Sequence, residues 1–339
     1  MIKNVDQFLE TVFTDFTQNQ RKVLLSRFGL KTGKAATLQA VGDELGITRE
    51  RVRQIQEQAM KKLGGALKVS EGPFVQLVVA HLAAVGGVRS DVEFIKDIRQ
   101  KFFAGSNTKH LDQKIRFVLF AAGAPSYRKE DDTTNAYWYA DDAAHKKFTE
   151  FVKHATSVFK TTDRQEFFDR KVYLAVAKDP ASAHLLSIPK HFGVNVFGDV
   201  GLVEWPEIAP KTVRDKAYLV LRKSSSPLHF EDISKNISKL GIDKKTAHVQ
   251  TVHNELIKDD RFVLVGRGIY GLREQGYQPG TVREVVARLL KKNGPLQAHE
   301  VVTRVNQERF LKENTILLAL QNRKFFKRLE DGRYHTKEA

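Results

Sequence analysis

The 339-residue sequence contains no cysteine. Disulfide frameworks and thiolate metal sites are therefore excluded, zinc fingers among them, and a reducing compartment fits. Long apolar runs are missing too. The longest, FVQLVVAHLAAVGGV at residues 74–88, carries Gln76 and His81 and falls short of the roughly 20 residues that span a bilayer. The opening MIKNVDQFLETVF lacks a basic segment followed by an apolar one, so no export signal is expected and the chain reads as a soluble, cytoplasmic protein. Catalytic signatures are also wanting: there is no glycine loop to cradle phosphate, no His-Glu-x-x-His pair and no nucleophile elbow. The 11 histidines are scattered, and His248 and His253 stand five apart, on different sides of a helix rather than at a metal pair's spacing. Asp169-Arg170-Lys171 has the shortest form of a nuclease carboxylate-x-lysine pattern, but no proline-aspartate pair precedes it. No enzymatic activity, metal or cofactor is expected.

What the sequence has is positive charge, unevenly placed. The formal net charge is +16. Residues 1–70 hold 12 Lys+Arg against 7 Asp+Glu, residues 71–210 hold 18 against 18, and residues 211–339 hold 26 against 15. Basic ends invite a polyanion, because each neutralised phosphate releases counterions and supplies affinity independent of sequence. A merely soluble surface is the plain alternative, and charge alone does not choose between DNA, RNA and an acidic protein patch.

Apolar spacing places two short helices over residues 5–28, one on Phe8, Leu9, Val12 and Phe13, the next on Val23, Leu24 and Phe28. Thr37 then caps a short helix on Leu38, Val41 and Leu45; Gly46 suits a left-handed turn, Ile47 plugs the corner and Thr48 caps the following helix. That order outlines a helix-turn-helix. Projecting the second helix at about 100° per residue buries Val52, Ile55, Ala59 and Leu63 and turns Glu50, Gln54, Glu57 and Lys61 outward. Arg49, Glu50, Arg53 and Gln54 form the exposed ridge at its amino end, a set of side chains able to read base edges in a major groove. Glu50 is the informative member: a helix that only gripped phosphates would be weakened by a carboxylate, whereas near base edges a carboxylate accepts from a cytosine amino group. A solvated helix with alternating charges is the alternative.

The run TLQAVGDELGITRERVRQIQEQAMKKL, preceded by RKVLLSRFGL, closely resembles the fourth conserved region of primary-type bacterial sigma factors, the helix-turn-helix that reads the upstream promoter hexamer. The resemblance covers about residues 17–66, with TRERVRQI its most specific part. It implies Arg49 on a guanine, Glu50 near a cytosine or adenine and Gln54 on a neighbouring base, with Arg51, Arg53 and Lys61 toward phosphates or polymerase; Thr48 is a further phosphate candidate. In sigma factors this region follows domains that bind polymerase and open the duplex; here other modules follow it.

Two stretches of the C-terminal part look like copies of one unit. SPLHFEDISKNI (226–237) parallels GPLQAHEVVTRV (294–305), and DRFVLVGRGIYGL (260–272) parallels RKFFKRLEDGRYHT (323–336). Each predicts a leading helix, two further helices and two short strands around a glycine turn, the order of a winged helix. Tyr270 and Tyr334 fall at matching strand positions and are expected to pack in the hairpin rather than stack on bases. Residues 211–276, through PLHF and RFV…G…YGLRE, resemble the HARE-type helix-turn-helix, a winged helix also seen at the amino end of the RNA polymerase delta subunit. Phosphate candidates are Lys244, Lys245 and Arg267 in the first copy and Arg309, Lys312, Arg323, Lys324, Lys327 and Arg328 in the second; His229 is expected to start a helix.

Residues 110–141 predict a helix and a hairpin around Glu130-Asp131-Asp132, so 71–142 reads as a third winged-helix-like unit without a basic surface, in which Tyr137-Trp138-Tyr139 packs as a strand. The expected organisation is mainly α: a helix-turn-helix (1–68), a winged-helix-like middle (71–142), a helical connector (143–210), a HARE-type winged helix (211–276) and a second winged helix (279–337). The expected function is a DNA-binding transcription factor, associated with the nucleoid, that reads duplex DNA in a sigma-like way alongside RNA polymerase core. The alternative is a delta-like accessory protein that targets polymerase and touches DNA without sequence preference.

Overall fold

The computed structural model describes residues 5–70, 72–224, 226–242 and 246–337, so the phosphate candidates Lys244 and Lys245 lie outside the described residues. The chain divides into two compact units, residues 1–193 with 200–202, and residues 194–199 with 203–339. It is mainly helical, with small antiparallel sheets.

The first unit begins with α1 (Val5–Phe13), α2 (Gln18–Arg27), α3 (Leu38–Leu45) and α4 (Arg49–Ser70). Side-chain caps start α2, α3 and α4 where the sequence places them. Thr17 and Gln20 form a reciprocal capping box on α2, and the Thr37 hydroxyl accepts from the Ala40 N–H at 3.1 Å to start α3. Between α3 and α4, Gly46 takes the left-handed conformation (φ 66°), and the Ile47 N–H donates to Gly42 O at 2.9 Å. A Cβ on Gly42 would lie 2.6 Å from Ile47 O, so the turn is tight enough to require glycine at that position as well. A small core of Val23, Val41, Val52 and Ile55 holds the helix-turn-helix together.

Next come α5 (Gly72–Ala84), β1 (Val88–Ser90), α6 (Asp91–Phe102), α7 (Leu111–Ala122), β2 (Ser126–Arg128) and β3 (Tyr137–Tyr139), with strand order β1-β3-β2. Helix, strand, two helices and a hairpin make a winged helix. One apolar core runs from Val5 on α1 through Ala59, Leu63 and Leu67 on α4 to Phe117 on α7 and Trp138 on β3, spanning both sides of the 68–71 division read from the sequence. Where α4 runs on past Leu63, Gly64 lets α7 come close; a Cβ there would sit 2.5 Å from Ala121 O. Residues read as a connector carry elements of their own: α8 (Asp142–Thr161), α9 (Arg164–Asp169), α10 (Val172–Val176), α11 (Pro180–Leu185), β4 (Phe192–Val194) and β5 (Val200–Leu202). α8 packs behind the winged-helix sheet, with Phe148 5.2 Å from Tyr137.

The second unit contains α12 (Val213–Lys223), β6 (Leu228–His229), α13 (Phe230–Lys239), α14 (Val249–Lys258), β7 (Phe262–Gly266) and β8 (Ile269–Leu272), with strand order β6-β8-β7. It continues with α15 (Val282–Asn293), α16 (Ala298–Glu308), α17 (Glu313–Leu320), β9 (Phe326–Arg328) and β10 (Tyr334–Thr336). A bridge from Leu296 to Tyr334 stands where the first strand stands in the other two modules. Capping boxes at Thr212 with Asp215 and at Thr281 with Glu284 start the leading helix of each copy, and each copy closes around its own apolar core.

Candidate nucleic-acid interface

The outward ridge of α4 is built by what its opposite side buries. Val52, Ala59 and Leu63 are fully buried and Ile55 nearly so, which leaves Arg49, Glu50, Arg53, Gln54 and, farther along, Lys61 exposed. The Thr48 hydroxyl accepts from the Arg51 N–H at 3.1 Å and starts the helix, and its own O–H remains able to donate to a phosphate. A brace that the sequence did not signal fixes this helix from behind: Arg27 on α2 donates through Nε to Gln56 Oε1 at 2.9 Å and through Nη1 to Ala36 O.

The ridge is internally paired. Arg53 Nη2 lies 2.7 Å from Glu50 Oε1, Nε bonds both Glu50 oxygens, and Nη1 bonds Glu57. Arg51 Nη1 donates to Gln54 Oε1 at 3.2 Å. The Arg53 hydrogen bond holds the Glu50 carboxyl below the usual carboxylate range, and the Glu50 bond and charge raise the Arg53 guanidinium. Glu50 is thus an anionic acceptor at neutral pH. These exposed pairs are weak and easily exchanged, so Glu50, Arg53 and Gln54 can leave them for another polar partner.

The middle winged helix offers no comparable surface. Its α7, the helix such modules present to a groove, is covered by α1 and α4: Phe117 is fully buried and Lys114 is nearly so, bonded to Asp6. Its hairpin loop is tied down by residues 188–190, with the Asn135 N–H donating to Ile188 O and the Lys190 N–H to Thr133 O, both at 2.8 Å, and Lys190 Nζ 2.6 Å from Glu130. Trp138 is fully buried in the strand, its Nε1–H donating to Asp91 Oδ1 at 2.8 Å.

In the second unit Arg267 is exposed at the β7–β8 turn, His229 caps α13, and Tyr270 is buried in the hairpin as its position suggested. In the last module Lys312, Arg323, Lys324, Lys327 and Arg328 are all exposed, Arg328 lying 5.9 Å over the Tyr334 ring. Arg309 is a correction. Read from the sequence as a phosphate candidate, it is 4% exposed, and its guanidinium donates to Leu264 O, to Gln278 O at 2.6 Å and to Gly280 O at 3.0 Å. Three backbone carbonyls satisfy it inside the protein, and burial lowers its pKa.

Residues 15–63 match the family described as Sigma-70, region 4. This segment is similar to sigma-70 region 4. Residues 211–275 match a second family, HARE-HTH, the helix-turn-helix domain described for ASXL and restriction endonuclease proteins among others. Among curated proteins, the chain is 47% identical over 55 residues to the RNA polymerase sigma factor SigA of Bacillus sp, and 48% identical over 58 residues to SigA of Clostridium acetobutylicum. These matches cover 16% and 17% of this chain and span 15% of the length of each relative. No solved structure matches the chain. The segment matched to region 4 holds the exposed ridge of α4, and the segment matched to HARE-HTH holds the Arg267 hairpin. Among the described residues no cluster of His, Asp and Glu has the arrangement of a metal site, and no helix is long and apolar enough to cross a membrane.

Proposed function

We propose that this chain is a DNA-binding transcription factor whose region 4 segment reads duplex DNA with Arg49, Glu50, Arg53 and Gln54, while Thr48, Arg51 and Lys61 hold the flanking phosphates. It binds rather than catalyses, and it works at the nucleoid beside RNA polymerase, the enzyme named in its SigA relatives. The observation that carries this reading is the α4 ridge: an ionised carboxylate, an amide and guanidiniums exposed together on a helix whose other side is locked into the core. The middle module acts as a scaffold that presents α4, and the exposed cations of the last two modules, Arg267, Arg323 and Lys324 among them, add sequence-independent grip.

Fluorescence anisotropy on a duplex, titrated over salt, tests this. Lys61→Ala is expected to weaken every duplex alike and to reduce the slope of log K against log salt by about 1. A slope and affinity unchanged by Lys61→Ala remove it from the interface. The covered middle module also favours a second reading, in which the chain is a polymerase accessory protein and its DNA contacts lack sequence preference; retention of the chain on immobilised polymerase core after duplex selectivity has been abolished selects that reading.

A further inference from the structure

At a junction within the second unit, the function proposed above uses only the Arg267 cation and leaves an exposed aromatic ring without a role. The segment joining α16 to α17 lies along strand β7: the Phe310 N–H donates to Val265 O at 2.8 Å, and Gly266 and Phe310 form a parallel bridge. The three carbonyl bonds of buried Arg309 clamp the segment one residue earlier. Gly266 permits the approach, since a Cβ there would lie 2.7 Å from Phe310 O and 3.1 Å from Phe310 Cβ. Held in this way, Phe310 is 46% exposed, and Leu264 on β7 is 52% exposed. Because the bridge is parallel, the chain beyond Gly266 and the chain beyond Phe310 leave in the same direction. Arg267 at the hairpin tip and Lys312 at the start of α17 therefore stand at one end of the junction, both exposed.

An exposed aromatic residue on a clamped backbone, with an exposed cation one or two residues further along each of the two bridged segments, suits a ligand that is both stackable and anionic. Duplex DNA hides its base faces and an unpaired strand presents them, and aromatic stacking combined with cationic contacts to the backbone is how such strands are held. The excess of 26 basic over 15 acidic residues in 211–339 favours the same polyanion. We propose that this junction binds an unpaired nucleic-acid strand, with the Phe310 ring stacked on a base and Arg267 and Lys312 on the flanking phosphates. The site is distinct from the α4 ridge and stands or falls independently of it.

The test is anisotropy of the full chain with labelled oligothymidylate and, in parallel, with a labelled duplex. Phe310→Ala is expected to weaken oligothymidylate binding about tenfold and to leave the duplex unaffected, while Phe310→Trp retains binding. Arg267→Ala combined with Lys312→Ala lowers the salt slope for the single strand by about 1.4, at about 0.7 per phosphate contact. The Phe310→Ala loss on oligothymidylate should be the same in a Glu50→Ala background, which separates this site from the α4 reading. Wild-type affinity in Phe310→Ala overturns the proposal. So does an equal loss in Phe310→Ala and Phe310→Trp with a lowered unfolding midpoint, since the ring would then only support the junction.

Discussion

Phe117→Ala is expected to destabilise the first unit by about 3–5 kcal/mol, the range for removing a fully buried phenylalanine, and to loosen the helix-turn-helix and the middle winged helix together. Phe117 is fully buried on α7, with ring centroids 6.2 Å from Phe13 on α1 and 4.9 Å from Phe28 just beyond α2. The cavity would therefore open between the two modules rather than inside either, and the close approach of α7 at Gly64 limits how far the walls can collapse into it. Hydrogen exchange during urea titration is the direct measurement. The expected result is a common loss of protection in α4, α6 and α7; full protection of α4 beside an exchanging α7 would mean that the modules fold separately.

Arg309→Ala is expected to cost the second unit about 2–4 kcal/mol, since hydrogen bonds to a charged donor contribute roughly 1.5–3 kcal/mol each and carbonyls left without a donor are penalised further. Solvent entering the gap would re-satisfy some of them, which keeps the expectation below the sum of three such bonds. Arg309→Lys should recover little, because a single ammonium does not reproduce a planar fork that reaches Leu264, Gln278 and Gly280 at once. Thermal unfolding followed through the second unit checks this. A variant that binds nucleic acid less tightly but melts like the wild type would return Arg309 to the phosphate contacts.

The helix-turn-helix was legible because its signals are local. Thr37, Gly46 and Thr48 each satisfy a cap or a turn within a few residues, and Val52, Ile55, Ala59 and Leu63 recur at helical spacing. The repeat in the C-terminal part was legible for the same reason, since the paired segments, with a glycine turn in each hairpin, match each other within short stretches. What escaped depends on partners distant in sequence. A glycine such as Gly64 only weakens a helix locally, and it takes the carbonyl of Ala121 to show why α4 needs a residue without a side chain there. A basic residue in a basic region reads as a surface charge, and only the three converging carbonyls reveal Arg309 as buried. The cover over α7 was equally invisible, because a helix packed against its own module and one packed against a neighbour share the same apolar period.

Selection of duplexes from a randomised pool, with the wild type and with the Glu50→Ala/Gln54→Ala double variant, is the most direct measurement of what the α4 ridge does. The wild type should enrich a short motif, and the variant should relax it at the base pairs those two side chains face, each worth about 1–3 kcal/mol of discrimination, while total affinity at low salt changes little. Enrichment of one and the same motif by both proteins, or of none by either, would contradict base reading by the α4 ridge.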